Sequence, residues 1–297
     1  MTVTLLPTSR PLDPPVRPER ELPLSAAAAA PELAVVPPWK RALDSSAWRQ
    51  VALLLLLAGL WEFAARAADN DLLFPTFTAA SRALWEGLAG GELLTRAGIS
   101  LKLLLQGYAL GVVLALALTA LATSSRWGRD LLSSLTAMFN PLPAIALLPL
   151  ALLWFGLGSG SLIFVLVHAV LWPLALAASA GFASVPETLR MAGRNYGLKG
   201  PAYVGQILLP AALPAILSGL RVGWAFAWRT LIAAELFFGA SSGQGGLGWY
   251  IFQNRNELQT DRVFAGLALV ILIGWLVERL VFSTVEQVTV RRWGMQR

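Results

Sequence analysis

A long stretch without charge is the feature that most constrains how this chain folds. No Asp, Glu, Lys or Arg occurs between Asp130 and Glu187. Because a transmembrane helix needs about 20 apolar residues, this stretch predicts two membrane crossings. Over all 297 residues, 56% are hydrophobic and 13% are charged, and the mean hydropathy is +0.63. This composition argues against a soluble fold and predicts a polytopic membrane protein.

Six apolar segments are long enough to cross a bilayer as helices. They lie near residues 48–68, 99–124, 131–157, 161–185, 208–239 and 263–285. The predicted fold class is therefore an all-α membrane protein with six transmembrane helices. Prolines inside the third and fourth segments predict kinked helices there, namely Pro141, Pro143, Pro149 and Pro173.

The Lys and Arg residues predict the orientation of these segments. They flank the apolar runs in short groups. These groups lie on the side of the membrane that holds both termini, the segment between spans 2 and 3, and the segment between spans 4 and 5. By the positive-inside rule this side is cytoplasmic. The twelve Trp residues fit a membrane interface or a membrane core better than a soluble surface. The basic residues do not form the patch with interleaved aromatic residues that nucleic acid would need. Lipid is therefore an expected partner and nucleic acid is not.

The N-terminal segment differs in composition from the rest of the chain. Residues 1–46 contain half of the prolines and a five-alanine run, so we expect a disordered cytoplasmic tail rather than a signal peptide. Between spans 1 and 2, Thr78 to Leu94 has helical spacing of Leu84, Trp85 and Leu88. This pattern predicts a helix that lies either on the outer membrane surface or against the spans.

Polar residues at membrane depth are the candidate solute contacts, because each costs about 2.5–3.5 kcal/mol at a helix centre if charged. Arg229 either faces the pathway and attracts an anion or forms an ion pair, for example with Glu235. His168, the only histidine, is expected to be a hydrogen-bonded packing residue, with a pathway role as the alternative. Asn140 is expected to cap a broken helix, with a contact to the transport pathway as the alternative.

Other charged and glycine-containing segments have simpler interpretations. Arg221 is expected to make a structural contact near the cytoplasmic end of span 5, and Glu62 is expected to pair with Arg66. The glycines spaced by four at Gly107 and Gly111, and again at Gly219 and Gly223, predict close helix packing. Gly243 to Gly248 follows a membrane helix, so we expect an outer loop rather than a dinucleotide site.

The sequence contains no pattern typical of catalysis or metal binding. There is no Cys and only one His, which argues against a metal site, and no Gly-x-x-x-x-Gly-Lys-Ser/Thr loop that would bind ATP. We therefore predict a protein that is not an enzyme and binds no cofactor itself.

A charged island between spans 4 and 5 has a distinctive spacing. Gly197 follows Met191 by six residues, Ile207 follows Gly197 by ten, and Leu209-Pro210 ends the run. This spacing resembles the EAA loop of binding-protein-dependent ABC importer permeases. Segments from about Phe74 to Trp293 also resemble the nitrate, sulfonate and taurine class, including Asn140-Pro141-Leu142-Pro143, Leu209 to Pro214 and Ala234-Glu235. One position departs from the family pattern: Met191 occupies the position at which the family has an acidic residue.

The resemblance implies a type I importer fold in which this chain forms the membrane pathway and a separate subunit hydrolyses ATP. Residues 47–293 would form the permease domain, with a cytoplasmic coupling loop at 186–210 that docks on an ATPase subunit. The loop residues implied are Met191, Ala192, Gly193, Arg194, Gly197, Leu198, Lys199, Gly200, Ile207, Leu209 and Pro210. Gly197 would allow a sharp turn between two helices, and Pro201 would begin the second.

The implied partners are a second permease copy, two ATPase subunits that bind ATP and Mg, and an extracytoplasmic substrate-binding protein. The expected location is the bacterial inner membrane, and the expected solute is a small anion such as a sulfonate, taurine or nitrate. The alternative function is a secondary transporter driven by an ion gradient, with Glu235 and His168 as coupling sites.

Overall fold

The computed structural model describes residues 46–238 and 245–291, which contain helices and turns and no strand. The chain divides into two compact units, residues 1–55 and residues 56–297, and every contact described below lies within the second. The tail predicted for residues 1–46 falls almost wholly outside the described residues and stays a prediction.

Twelve α-helices and several short 3-10 and π segments make up the described residues. The α-helices are α1 Ser46–Ala68, α2 Phe77–Ala89, α3 Glu92–Ser124, α4 Arg126–Phe139, α5 Leu148–Phe155, α6 Ser159–Ala183, α7 Glu187–Asn195, α8 Gly200–Tyr203, α9 Leu209–Phe238, α10 Leu247–Asn256, α11 Thr260–Leu276 and α12 Ser283–Glu286. A 3-10 turn, Ala144–Leu147, precedes α5, and π segments occupy Val204–Leu208, Val277–Phe282 and Gln287–Arg291.

In residues 46–238 and 245–291, five helical runs are long and apolar enough to cross a membrane. They are Ala47–Ala68, Glu92–Thr123, Ser159–Ala183, Val204–Leu236 and Thr260–Thr289. The sixth candidate is a pair of helices, Arg126–Phe139 and Ala144–Phe155, bent by 90°. The prediction of one kinked span at 131–157 is therefore wrong in its shape. Pro141 and Pro143 lack the amide hydrogens that a continuous helix would use, so the chain turns here instead of bending slightly.

Helix α6 lies at the centre of the second unit, between α3 and α9. A Cβ added at Gly107 would lie 2.6 Å from Leu166 Cβ, and one added at Gly219 would lie 2.6 Å from Ala177 Cβ. Gly111 and Gly223 both face Val170 in the same way. These contacts confirm the close packing predicted from the glycine spacing, because only the absence of a side chain lets the helix backbones approach this closely.

Helix α2 packs against the spans, which decides between the two alternatives for the segment after span 1. Leu84 and Leu88 lie against the main hydrophobic core, whereas Trp85 is 72% exposed. The carboxylate of Glu62 accepts hydrogen bonds from Arg66 Nε at 2.8 Å and from the Thr78 amide at 3.0 Å. The predicted Glu62–Arg66 pair is therefore confirmed, and it also fixes the start of α2.

Arg221 makes the structural contact expected of it. Its guanidinium forms ion pairs with Glu278 at 3.0 Å and with Glu286 at 2.9 Å. These two acidic residues lie on the last membrane run, so the three charges join α9 to the C-terminal end of the fold.

Candidate functional site: a helical elbow and an intramembrane cavity

The segment between α6 and α9 forms a sharp elbow at Gly197. Helix α7 ends at Asn195, and Gly197 adopts a left-handed φ of 74°. The Leu198 amide donates to Gly193 O at 3.0 Å, and the Gly197 amide donates to Arg194 O at 2.9 Å. This pair of bonds is a Schellman motif, which stops a helix and reverses the chain where glycine is available. The predicted turn at Gly197 is confirmed.

The second arm of the elbow leads directly into a membrane span. Gly200, with φ of 55°, begins α8, and Pro201 is its second residue, as predicted. From there a helical run continues without interruption through Val204–Leu208 into α9. Ile207, Leu209 and Pro210 therefore lie in helix, and the irregular part of the predicted loop consists of Pro186 and residues 196–199.

Helix α7 is fixed tightly to both neighbouring elements. Arg190 donates through Nε to Val185 O at 3.1 Å and through Nη2 to Phe182 O at 2.5 Å, so its positive charge lies at the C-terminal end of α6. A Cβ added at Gly193 would lie 2.9 Å from both Ile207 Cγ1 and Tyr203 Cε2. Helix α7 is thus joined to the end of α6 by hydrogen bonds, and it packs against the helical run that leads into α9.

The solvent-facing surface of the elbow combines uncharged side chains with an excess of basic ones. Tyr196 is 85% exposed and Met191 is 49% exposed, while Ala192 is half-buried. Glu187 forms long ion pairs with Arg194 at 3.7 Å and Arg190 at 3.9 Å. Lys199 is also exposed, whereas Leu198 is half-buried. The position of Met191 therefore presents a thioether to a partner, not a carboxylate.

A cavity of about 510 Å³ lies where the bent pair of helices faces α6 and α9. Three of the four predicted pathway residues line it together, namely Asn140, His168 and Arg229. The remaining lining residues are Pro141, Leu142, Pro143, Ala144, Ile145, Ala169, Trp172, Pro173, Phe226 and Thr230. The bend at Asn140–Pro143 thus forms one wall of the cavity.

Arg229 and Glu235 do not form an ion pair, so that alternative is wrong for this pair. The Arg229 guanidinium donates through Nε to Ala225 O at 3.0 Å and lies 5.0 Å from the Phe226 ring centre. In the described residues, no carboxylate lies within ion-pair distance of it. Arg229 and Glu235 are six positions apart on α9, which is more than one and a half helical turns. Their side chains therefore point to different faces of the helix.

Glu235 lies in a separate buried cluster and does not line the cavity. It is 3% exposed and accepts hydrogen bonds from Ser100 Oγ at 2.9 Å and from the Gly248 amide at 2.8 Å. The Leu247 amide in turn donates to Ser100 Oγ at 2.9 Å. Gly245 to Gly248 are buried around this cluster, and Leu247 and Gly248 begin a helix, so this half of the predicted outer loop is neither exposed nor wholly irregular. Gly243 and Gln244 lie outside the described residues, and the side of the membrane stays a prediction.

His168 differs from the first expectation for it, whereas Asn140 caps the broken helix as expected. Among the described residues neither ring nitrogen of His168 has a hydrogen-bond partner, although the ring packs edge-on against Phe139 and Trp172. Asn140 caps the C-terminal end of α4 through its backbone amide, which donates to Thr136 O at 3.0 Å, and not as an N-cap. Its side chain lines the cavity.

Two residues of this region were missed by the sequence analysis. Ser100 has no unusual sequence context, and only the fold brings it to Glu235. Trp172 was not among the predicted site residues; it is 9% exposed, and its indole N–H has no hydrogen-bond partner among the described residues. Within residues 46–238 and 245–291, no group of three or more His, Asp or Glu side chains is placed to hold a metal ion.

Comparison with known proteins adds an independent observation. The family described as binding-protein-dependent transport system inner membrane component matches residues 107–284. A putative ABC transporter permease protein of Methanocaldococcus jannaschii is 32% identical over 77% of this chain and 86% of its own length. The taurine transport system permease protein of Escherichia coli K12 is 35% identical over 66% of each chain. A putative aliphatic sulfonates transport permease protein of the same strain is 32% identical over 75% of this chain and 83% of its own length.

Proposed function

Because this chain belongs to the family of binding-protein-dependent inner-membrane transport components, we propose that it moves a small anionic solute inward under the control of a separate ATPase. It is a multi-pass permease of the ABC importer type. The observation that carries the proposal is the exposed elbow at Gly197, which is joined on one arm to α6 and on the other to α9.

The proposed assembly is a homodimer of this chain with two ATPase subunits and an extracytoplasmic binding protein. ATP and Mg would bind to the ATPase subunits, and this chain would bind no cofactor. The absence of a phosphate-binding loop from the sequence supports the proposal that ATP binds to a separate subunit. Family membership supports the classes of partner, and the exposed uncharged side chains of Met191 and Tyr196 supply a surface for an ATPase to contact.

In the proposed orientation, both termini and the elbow are cytoplasmic. The basic residues Arg190, Arg194 and Lys199 in the elbow support this placement. The cavity would then lie in the outer half of the membrane, since Arg229 is seven residues from the outer end of the run Val204–Leu236, which corresponds to about 10 Å.

The proposed cycle is alternating access. Closure of the ATPases on ATP would move the elbow, α7 would pull on α6 through Arg190, and α9 would follow through the Gly193–Ile207 contact. Net transport requires that nucleotide and the loaded binding protein bind the outward-facing state more tightly than the inward-facing one.

The proposed solute class is a small organic or inorganic anion. The similarity to taurine and aliphatic sulfonate permeases supports it, as does Arg229 without an acidic partner in the described residues. The alternative of an ion-gradient-driven transporter is not favoured, because Glu235, one of its two coupling sites, is fully engaged in hydrogen bonds away from the cavity.

Uptake into proteoliposomes tests the proposal. The permease, its ATPase and its binding protein are reconstituted with radiolabelled taurine, ethanesulfonate or nitrate outside and ATP inside. We expect uptake that requires all three proteins and ATP. Uptake that follows a proton or sodium gradient in the permease alone would contradict the proposal.

A further inference from the structure

Three exposed leucines lie in two neighbouring turns at one end of the fold. Leu72 is 62% exposed, Leu73 is 77% exposed and Leu258 is 67% exposed. The first two follow the first membrane run and the third precedes the last one, so all three lie outside the segments that could span the membrane. Thr260 Oγ1 donates to Leu72 O at 2.6 Å, which holds the two turns side by side. We call Leu72, Leu73 and Leu258 the leucine patch.

Leu258 combines its exposed side chain with an unfavourable backbone conformation. Its φ is 59°, in the left-handed region, where a leucine Cβ crowds the following carbonyl oxygen. The Leu258 amide donates to Arg255 O at 3.2 Å. The Gln259 amide donates to Asn254 O at 2.9 Å. These two bonds form a Schellman motif at the end of α10, with Leu at the position that Gly usually occupies.

The fold of this chain gains little from having leucine at position 258. Gly would adopt the same turn without the steric cost of a Cβ. The leucine side chain is two-thirds exposed, so its burial within the chain does not offset that cost. Strained residues concentrate where a protein binds another molecule, and we therefore look for a contact outside the chain.

Charges of both signs flank the leucine patch in the sequence. Asp69 and Asp71 are exposed in the first turn, and Arg255 and Glu257 are exposed in the second. An apolar centre with a mixed polar rim is typical of a protein–protein interface. A segment that binds a lipid surface is instead rich in Lys and Arg, whereas the turn 69–76 carries only these two acidic residues. The charges therefore favour a protein over a lipid surface.

The leucine patch lies at one end of α10, and the other end of α10 is joined to two membrane runs. Ser100 on α3 and Glu235 on α9 accept hydrogen bonds from the first amides of the helix. Arg96 Nη1, also on α3, donates to Gly245 O at 2.9 Å. The ten residues of α10 span about 15 Å. A molecule bound at the patch thus contacts a helix that is bonded directly to α3 and α9.

We propose that the leucine patch is a docking surface for the extracytoplasmic binding protein, with Leu258 as its apolar anchor. Membership of a binding-protein-dependent family supports a partner of this kind. In the proposed orientation both turns face the outside, where this partner is found. The inference rests on the proposed function, because it names the surface that one of the proposed partners contacts. The matching surface of the binding protein would carry an apolar depression with a charged rim.

Binding of the purified binding protein to the permease–ATPase complex tests this surface. The complex is placed in lipid nanodiscs and immobilised, and the probe is the solute-loaded binding protein that supports uptake in the proteoliposome assay. Surface plasmon resonance measures its dissociation constant, both without nucleotide and with a non-hydrolysable ATP analogue. The thermal midpoint of each complex is measured in parallel.

Matched variants separate docking from folding. Leu258→Gly is expected to weaken binding about 10-fold without lowering the thermal midpoint, because Gly removes the anchor and relieves the left-handed backbone. Adding Leu72→Ser and Leu73→Ser is expected to weaken binding at least about 50-fold in total. The control is Leu157→Ser, since Leu157 is 73% exposed in the connection between α5 and α6, on the same predicted side. It is expected to leave binding unchanged.

The outcomes separate the surface from the proposed function. If the wild-type complex binds but the triple variant binds equally well, the surface is wrong and the proposed function stands. An equal loss of affinity in Leu157→Ser also overturns the surface. A thermal midpoint that falls in Leu258→Gly would show that this leucine stabilises the fold and is not a docking anchor. If no binding protein supports uptake by the wild-type complex, both the surface and the proposed function are wrong.

Two further results would assign the leucine patch to another occupant and overturn the proposal. One is a triple variant that keeps its affinity but separates into single permease copies in mass photometry, which would indicate a contact between copies. The other is a triple variant that keeps its affinity and whose thermal midpoint falls in nanodiscs but not in detergent, which would indicate a lipid contact.

Discussion

Ser100 Oγ lies 2.9 Å from each carboxylate oxygen of Glu235, although the two residues are 135 positions apart in the chain. The same hydroxyl accepts a hydrogen bond from the Leu247 amide, and Glu235 accepts one from the Gly248 amide. Together they hold the start of α10 against α3 and α9. A carboxylate at the N-terminal end of a helix also interacts favourably with the helix dipole.

The first prediction concerns the stability that this cluster provides. Ser100→Ala removes a donor to the carboxylate and the acceptor of the Leu247 amide, so two buried groups lose a partner. We expect a loss of about 1–3 kcal/mol and a lower thermal midpoint in detergent. Ser133→Ala, at an exposed position on α4, is the control and is expected to change nothing. Equal midpoints for the two variants would show that the cluster is not stabilising.

A second prediction tests the packing of α3 on α6. In Gly107→Ala the new methyl group would lie 2.6 Å from Leu166 Cβ, which requires the two helices to separate. We expect a destabilisation of about 1–3 kcal/mol, measured as a lower thermal midpoint and a lower yield of intact complex. Gly98→Ala is on the same helix, where a new Cβ meets nothing within 4 Å, and is expected to be neutral or slightly stabilising.

The backbone conformation of Gly197 gives a third prediction. Asn tolerates the left-handed region far better than a β-branched residue does, so Gly197→Asn should keep the elbow and Gly197→Val should distort it. We expect ATP-driven uptake to be retained largely by the first variant and reduced at least about 10-fold in the second. Both variants should insert into the membrane at wild-type levels, since the elbow lies outside the spans. Equal uptake by both would mean that this turn does not matter for transport.

A fourth prediction concerns the link between α7 and α6. Arg190→Ala removes the hydrogen bonds to Phe182 O and Val185 O. We expect the ATPase to remain bound and to hydrolyse ATP, while solute uptake per ATP falls several-fold because the motion no longer reaches α6. Arg129→Ala, exposed on α4, serves as the control and should keep the wild-type ratio. A proportional fall of hydrolysis and uptake in Arg190→Ala would instead indicate a docking defect.

Much of this architecture follows from local sequence signals. Apolar length identifies the spans, glycines four residues apart identify the tight helix contacts, and Gly197 identifies the elbow. These features depend on residues close together in the chain, whose effect on the backbone is direct. The pairing of Glu62 with Arg66 is predictable for the same reason.

Features that depend on distant residues were not predictable from sequence. Pro141 and Pro143 predict that the helix is interrupted, but they do not predict the 90° angle between its two halves. The partner of Glu235 is Ser100, on another span, and no pattern in either segment indicates it. The cavity likewise forms from three separate runs, which is why Trp172 was not among the expected pathway residues.

The proposed transport cycle depends most on contact between the elbow at Gly197 and the ATPase. The chain contains no Cys, so Tyr196→Cys and Leu258→Cys each introduce a single reactive thiol. Both sites are exposed, since Tyr196 is 85% exposed and Leu258 is 67% exposed. Site-directed cross-linking in inside-out and right-side-out vesicles then measures contact and sidedness. We predict that Tyr196→Cys cross-links to the ATPase subunit with a yield that changes on ATP binding, and that a membrane-impermeant maleimide reaches it only from the cytoplasmic side. Leu258→Cys should be reached only from the outside and should not cross-link. Labelling of Tyr196→Cys from the outside, or no cross-link to the ATPase in an active complex, would contradict the account.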